Sequence, residues 1–259
     1  MIPKIIHYCW FSEEKYPPKI KECIKSWKKH LKDYELVLWD GSRFDFNSIP
    51  YVKRCIELKK WAFAADYIRL YAVYTMGGIY LDSDVFVQQS FDRLLDSKAF
   101  WGIDANDSQH YAFPEAAVFG AEKEFCPIKE MMSYYERLSL SEVISEAFTR
   151  LTNVYENRNR TIFKPDGDLH LVTAPVVMES VLSNYGYIQE NKDQTLQMGI
   201  KIYSEPIIQN SNKIDTPDTI AHHLNASSWF FTDRGPFFKF CYNHPFWMPI
   251  YKKIEKIMS

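Results

Sequence analysis

The sequence predicts an α/β protein: a mostly parallel sheet flanked by helices, with helical additions. Three observations predict it. Short apolar runs suited to buried strands alternate with helical runs over roughly the first 90 residues. Proline and glycine punctuate the borders of these runs. The chain has 259 residues, 46% hydrophobic and 25% charged, which is enough to bury the core of one domain.

The elements follow in order. Lys4 to Cys9 is a compact apolar run fit for a buried strand. Pro17-Pro18 opens a helix that runs through about Lys29, because proline fits the first helical turn. Tyr34 to Trp39 is the next strand, stopped by Asp40-Gly41. Trp61 to Met76 is a long helical run, ended by Gly77-Gly78. Ile79 to Leu81 is a short strand. Ala99 to Ile103 and Ala116 to Ala121 also read as strands, and Phe125 to Leu138 and Pro175 to Asn184 as helices. The stretch from Ser139 to Asp168 is polar and charged. The reading is therefore one domain over residues 1–259, with a helical excursion at about 125–185 that shapes an acceptor side.

Composition excludes several classes. The net charge is -2 and no basic stripe is present, which argues against a nucleic-acid partner. The 5 cysteines are scattered, odd in number and free of any CxxC pair. That excludes a disulfide framework and a zinc ribbon, and it suits a reducing compartment. The N-terminus reaches Lys4 and His7 too early for a signal peptide. No apolar run approaches the roughly 20 residues of a membrane span. A cytoplasmic protein is expected. The segment from Phe246 to Met258 mixes aromatic, aliphatic and lysine residues, so it suits either a peripheral contact with the inner face of the cell membrane or a packed terminal helix.

The sharpest chemical signal is Ile79-Tyr80-Leu81-Asp82-Ser83-Asp84-Val85. An apolar strand ends in two carboxylates two residues apart. Alternate residues of an extended chain point the same way, so Asp82 and Asp84 are expected to converge at the strand's C-terminal edge, where open α/β sheets bind ligands. Paired carboxylates repel unless a cation joins them, and hard oxygen ligands favour Mn²⁺ or Mg²⁺. An acidic turn without function is the plain alternative for this motif taken alone.

Two further patterns lie around it. The run Trp61 to Met76 is apolar nearly all round, and only Asp66 and Arg69 carry charge in it. Three residues apart, they share a face. They either satisfy each other as an ion pair or reach into a polar cavity and hold ribose or sugar hydroxyls. Then comes Ile220-Ala221-His222-His223-Leu224, followed by Ser227-Ser228-Trp229. Two adjacent histidines in extended chain leave opposite faces, so one of them at most reaches the same ion.

These blocks, in this order, resemble the DXD-containing sugar-transferase family, glycosyltransferase family 32. That family is similar to bacterial capsular polysaccharide enzymes and, distantly, to the clostridial glucosylating toxins. The resemblance is carried by Pro3-Lys4-Ile5-Ile6-His7-Tyr8-Cys9-Trp10-Phe11, by Ala64-Ala65-Asp66-Tyr67-Ile68-Arg69-Leu70-Tyr71 running on to Gly77-Gly78-Ile79-Tyr80-Leu81-Asp82-Ser83-Asp84-Val85, and by His222-His223 to Trp229. It implies a GT-A fold, Rossmann-like, with a divalent metal, a UDP-sugar donor carrying galactose or glucose, a glycan or lipid-linked glycan acceptor in surface polysaccharide synthesis, and retention of anomeric configuration. Residue by residue, it implies that Trp10 stacks on the base with Tyr8 beside it. Asp66 and Arg69 hold the donor sugar, and Asp82 touches ribose and sugar. Asp84 binds the metal with Asp82 and His223, and Ser228 and Trp229 meet the diphosphate. Ser12 stands where the family's first block ends in glycine.

Two other readings remain. A phosphatase of the haloacid-dehalogenase type also places a DxD after an apolar strand, with the first Asp as nucleophile. That motif comes near the N-terminus, and the Asp66/Arg69 helix has no role in its chemistry. A non-catalytic carbohydrate-binding protein on the same fold is the other, since fold does not fix function.

Overall fold

The computed structural model describes residues 1–106, 111–138, 164–166, 169–210 and 216–224. Its elements in chain order are β1 (Ile5–Cys9), α1 (Pro18–His30), β2 (Glu35–Trp39), α2 (Pro50–Glu57), α3 (Trp61–Met76), β3 (Gly78–Leu81), β4 (Val85–Val87), β5 (Ala99–Asn106), β6 (Tyr111–Ala121), α4 (Cys126–Leu138), β7 (Lys164–Asp166), β8 (Leu169–Leu171), α5 (Ala174–Ser183), β9 (Gln194–Thr195), β10 (Ile200–Tyr203), β11 (Ile208–Asn210) and β12 (Ala221–His223). No described helix is long and apolar enough to cross a membrane.

Among the described residues the largest sheet has the order β2-β1-β3-β6-β5-β10-β9. β1 runs parallel to β2 and β3, and β5 runs parallel to β10. β6 lies antiparallel between β3 and β5. The expected α/β class holds, with parallel pairing on both sides of the inverted β6. A smaller sheet, β11-β12-β4, joins the chain just after β3 to the segment near residue 222.

Strand alternation divides the core between the two faces of the sheet. On one face Tyr80, Trp101 and Phe119 pack under α2, α3, α4 and α5. On the other, Ile6, Ile79, Leu81 and Phe100 pack against Trp27 and Leu31 of and after α1. Helix α2 goes beyond the elements expected. Its proline in the first turn and its inward stripe of Tyr51, Val52 and Cys55 explain it.

The turn that feeds β3 is built from the sequence up. Gly77 caps α3 at φ 68°, and its N–H donates to the Val73 carbonyl at 2.8 Å. Gly78 follows at φ 105°, and a Cβ there would lie 2.7 Å from the Ile5 carbonyl oxygen. Any side chain meets both left-handed backbone and a main-chain wall. Gly78→Ala is therefore expected to cost at least about 2 kcal/mol in urea denaturation. A change under half of that would show that β1 and β3 can part.

His7 anchors the same turn. It is fully buried. The Trp39 indole N–H donates to His7 Nδ1 at 3.0 Å, so Nδ1 carries no proton and Nε2–H donates to the Gly77 carbonyl at 2.7 Å. Burial, aided by Arg43, holds the ring's pKa down to about 4 from the ordinary 6.5. A depressed folded-state pKa means the contribution is whole above about pH 6.5 and is lost as pH falls through about 4. At 1.36 kcal/mol per unit the difference is about 3 kcal/mol. His7→Gln removes this group, so the stability gap between wild type and variant should narrow by about that much between pH 7 and pH 4. A gap that stays constant with pH would show that His7 ionises freely in the fold.

Candidate active site

Strand β3 lifts Asp82 to the C-terminal edge of the sheet, where β1 also ends. There the backbone does not stay extended. Asp82-Ser83-Asp84 folds as a tight turn closed by the Val85 N–H on the Asp82 carbonyl at 3.0 Å, and β4 begins at Val85. Strand alternation is thus not what brings Asp82 and Asp84 together; the turn is. The cause is tertiary, because the turn is pinned from three sides. The Asp82 N–H donates to the Ala117 carbonyl at 2.9 Å, the Leu224 N–H to the Asp84 carbonyl at 3.1 Å, and the Trp27 indole to the Val85 carbonyl at 2.7 Å.

His223 arrives on β12, which pairs with β4 so that His223 stands opposite Val85. Its Nε2 lies 3.6 Å from Asp84 Oδ1. One ligand atom each from Asp82, Asp84 and His223 lies within 4.8 Å of the other two. A divalent ion with bonds of about 2.1 Å in octahedral geometry sets its ligand atoms about 3 Å apart in cis and about 4 Å in trans. These three therefore close on one ion after sub-ångström adjustment, and two carboxylates with one imidazole suit Mn²⁺ or Mg²⁺. His222, the neighbouring residue in β12, leaves the opposite face, as its place in a strand requires.

Asp66 and Arg69 face each other one helical turn apart, with Arg69 Nη2 2.8 Å from Asp66 Oδ1 and both residues buried. The ion pair foreseen as one alternative is present, and it extends to the turn. Arg69 Nη1 lies 3.4 Å from Asp82 Oδ2 and Nη2 lies 3.4 Å from Asp82 Oδ1. Nη1 also donates to the Ala116 carbonyl at 2.8 Å and Nε to the Ala65 carbonyl at 3.2 Å. The Tyr80 hydroxyl donates to Asp82 Oδ1 at 2.8 Å. Asp66 Oδ2 accepts the Ala174 N–H at 3.2 Å, the first N–H of α5. Burial pushes the Asp66 carboxyl up to about 7 against the pull of Arg69. Burial also raises Asp82, again with Arg69 opposing.

The sequence reading missed Glu115. It is buried within β6 and its Oε1 lies 3.5 Å from His223 Nδ1. Burial alone would depress His223, but Glu115, Asp84 and Asp82 outweigh it and carry the ring up to about 9. Burial would raise Glu115 in turn, yet His223 keeps it below the ordinary carboxylate range. The available signal was a lone acid in the apolar strand Tyr111–Ala121.

Tyr8 and Trp10 complete the edge. The Tyr8 ring meets Trp27 edge-on with centroids 5.2 Å apart, which puts it one ring away from the carboxylate turn. Trp10 follows β1, half-buried, edge-on to Tyr16 at 4.9 Å, with its indole on the Glu14 carbonyl at 3.2 Å. Ser12 accepts the Glu14 N–H at 3.0 Å and so closes the loop in place of a glycine. Ser228, Trp229 and the segment 246–258 lie outside the described residues, as does most of the polar stretch after residue 138.

Comparison with known proteins bears on this site. Residues 17–101, which include α3 and the carboxylate turn, match the family described as "Glycosyltransferase sugar-binding region containing DXD motif". An inositol phosphoceramide mannosyltransferase 3 of Schizosaccharomyces pombe is 37% identical over 103 residues, covering 38% of this chain and 29% of the relative. The chain thus matches less than a third of that protein's length. Among solved structures, PaToxG glycosyltransferase aligns with a TM-score of 0.45 at 17% identity, over 71% of this chain and 70% of its own. A glycosyltransferase involved in glycosylation of the major capsid of PBCV-1 aligns at 0.45 and 11%, over 87% and 94%. The galactosyltransferase LgtC aligns at 0.44 and 11%, over 86% and 87%. The resemblance read from the sequence is borne out over residues 17–101, which match the model of the DXD-containing sugar-binding region and take in α3 and the carboxylate turn.

Proposed function

We propose that the protein is a metal-dependent, retaining hexosyltransferase that moves a hexose from a nucleoside diphosphate sugar to a hydroxyl of a glycan or lipid-linked oligosaccharide. The observation that carries this reading is the convergence of Asp82, Asp84 and His223 at the sheet edge where the sugar-binding segment ends its central strand. These residues would hold Mn²⁺ or Mg²⁺. When bound, such an ion neutralises charge on the departing diphosphate as a Lewis acid.

The chain's own groups do the rest. Arg69 and Tyr80 lock the Asp82 carboxylate, so its orientation is set before a donor arrives. Asp66 keeps Arg69 in place and ties it to the first turn of α5. Arg69 and Asp66 therefore act on the donor sugar mainly as positioning residues, through Asp82. Tyr8 and Trp10 supply the aromatic wall for the base. The acceptor hydroxyl attacks from the face that the leaving group vacates: its oxygen bonds to the anomeric carbon as the bond to the diphosphate breaks, and its proton passes to the departing diphosphate, which gives retention. The donor is a UDP-hexose, galactose or glucose. The name of the fungal relative adds mannose as the main competing sugar. On this reading the acceptor belongs to surface polysaccharide, and the work is done on the cytoplasmic side, at the membrane where the acceptor is lipid-linked.

The test is donor turnover. The protein is incubated with UDP-galactose, UDP-glucose and GDP-mannose, with Mn²⁺, Mg²⁺ or chelator, and free nucleoside diphosphate is measured. Release from one donor, lost with chelator and accelerated by mixed glycan acceptors, is expected. No release from any donor, together with no metal-dependent nucleotide binding, would favour the non-catalytic carbohydrate-binding protein.

A further inference from the structure

We infer that Glu115 is a positioning residue for the metal centre: it fixes the His223 ring so that Nε2, and not Nδ1, is presented to the ion. The inference rests on the metal-site reading above and concerns a residue outside the sequence motif.

The geometry starts in β6. Its pairing with β5 is regular from Ala99–Ala121 to Trp101–Phe119, then resumes at Ile103–Pro114. Glu115 to Val118 stand opposite the single residue Gly102, which is a wide irregularity in the ladder. Pro114 has no N–H to give to β5, and a Cβ on Gly102 would lie 2.8 Å from the Ile208 side chain. Both residues suit a local break. Bulges of this kind re-aim side chains beside sites. Here the freed main chain faces the carboxylate turn: the Ala116 carbonyl takes Arg69, and the Ala117 carbonyl takes the Asp82 N–H. The same displacement turns Glu115 inward.

Glu115 makes both of its contacts through one oxygen. Its Oε1 accepts the Ala117 N–H at 2.8 Å and faces His223 Nδ1 at 3.5 Å. About half an ångström of closure makes the second contact a full hydrogen bond. The far nitrogen of the same ring, Nε2, lies 3.6 Å from Asp84 Oδ1. Glu115, His223 and Asp84 therefore form a line with the imidazole in the middle. With an ion bound and the ring neutral, an acceptor on Nδ1–H leaves the Nε2 lone pair to face the ion. A carboxylate in that place also makes the ring a better donor, and loss of such partners weakens metal binding about 10- to 100-fold.

The experiment measures Mn²⁺ affinity directly, by calorimetry in the presence of UDP, for the full chain and for Glu115→Ala and Glu115→Gln. The expected result is binding by wild type, binding weakened about 10- to 100-fold in Glu115→Ala, and an intermediate value in Glu115→Gln, which keeps an acceptor without the charge. In the Cd²⁺-loaded protein, long-range proton–nitrogen spectra should show His223 protonated at Nδ1 in wild type and a mixture of ligating nitrogens in Glu115→Ala. Equal affinity of wild type and both variants overturns the inference and leaves the metal site standing. No Mn²⁺ binding by wild type overturns the metal site and the inference with it. Should Glu115→Ala fail to fold, Glu115→Gln and Glu115→Leu decide together: an intermediate affinity in Glu115→Gln with a loss of about 10- to 100-fold in Glu115→Leu supports the positioning role, and wild-type affinity in both overturns it.

Discussion

Asp84→Ala is expected to lower metal-dependent donor turnover by about a thousandfold, about 4 kcal/mol of transition-state stabilisation. Asp84 sits at the far corner of the carboxylate turn, and its carboxylate is the one that meets His223. Without it the remaining ligand atoms come from Asp82, already bonded to Arg69 and Tyr80, and from His223 alone. Two ligands on one side of an ion hold it poorly. The loss should therefore appear as a weakened metal response as well as a lower rate, and excess Mn²⁺ should recover part of it. Folding should survive, because the turn is closed by main-chain groups: the Leu224 N–H needs the Asp84 carbonyl, not its side chain. Removing Asp84 relieves its repulsion with Asp82 but also takes a carboxylate from the His223 ring, so the variant's Tm in chelator should stay close to that of wild type. Undiminished turnover by folded Asp84→Ala protein would remove the turn from the chemistry and with it the metal-dependent reading.

The sequence disclosed the parts of this site that are local and concealed the parts that are not. Helix α3 was legible over its whole length, because an apolar run lies between Lys60 and a glycine that can only cap or turn. The strands β1, β2 and β3 were legible for the same kind of reason, as short apolar runs between breakers. Asp66 and Arg69 stood out as the only charges in an apolar helix, and Asp82 and Asp84 as carboxylates closing an apolar strand, whereas only the resemblance set His223 apart from His222. Their partners did not follow from spacing. That Arg69 reaches Asp82 as well as Asp66 depends on β3 returning beside α3, and that both Asp66 oxygens are taken depends on α5 arriving more than 100 residues later. The strands from β9 to β12 are two to four residues long, too short for a period to show. Glu115 gave one faint signal, a lone acid in an apolar strand, and its pairing with His223 depends on β12 arriving more than 100 residues later. The turn geometry at Asp82–Asp84 was misread for a related reason, since the hydrogen bonds that bend it come from β6, α1 and the segment after β12.

Arg69→Met should be the most damaging single change to the fold of the site. The replacement keeps an unbranched apolar stem, shorter than that of arginine, and removes all its donors. Asp66 and Asp82 then remain buried without their cation, and the Ala116 carbonyl loses its partner. Breaking a buried pair from one side costs about 3–5 kcal/mol, because the stranded charge keeps its desolvation penalty. In a protein of this size that corresponds to a fall in Tm of about 10 °C. The pH dependence carries a sign that separates this cause from lost packing. Asp66 already sits near 7 with Arg69 in place, against an ordinary 3.8. A carboxyl whose folded-state pKa is raised favours the fold when protonated, and that support is lost as pH rises through the folded pKa. Without Arg69 the pKa rises further. The gap between variant and wild type should therefore be widest at about pH 8 and should shrink toward pH 5, as the carboxyls take up protons. Asp66→Asn added to Arg69→Met should restore part of the stability at pH 8, since a neutral amide needs no counter-charge. Arg69→Lys should fall between wild type and Arg69→Met, because one ammonium cannot span Asp66, Asp82 and the Ala116 carbonyl as a planar fork does. A pH-independent gap, with no rescue by Asp66→Asn, would mean that Arg69 serves the core through its aliphatic stem and its place over the Tyr80 ring, 4.8 Å away, and not through charge.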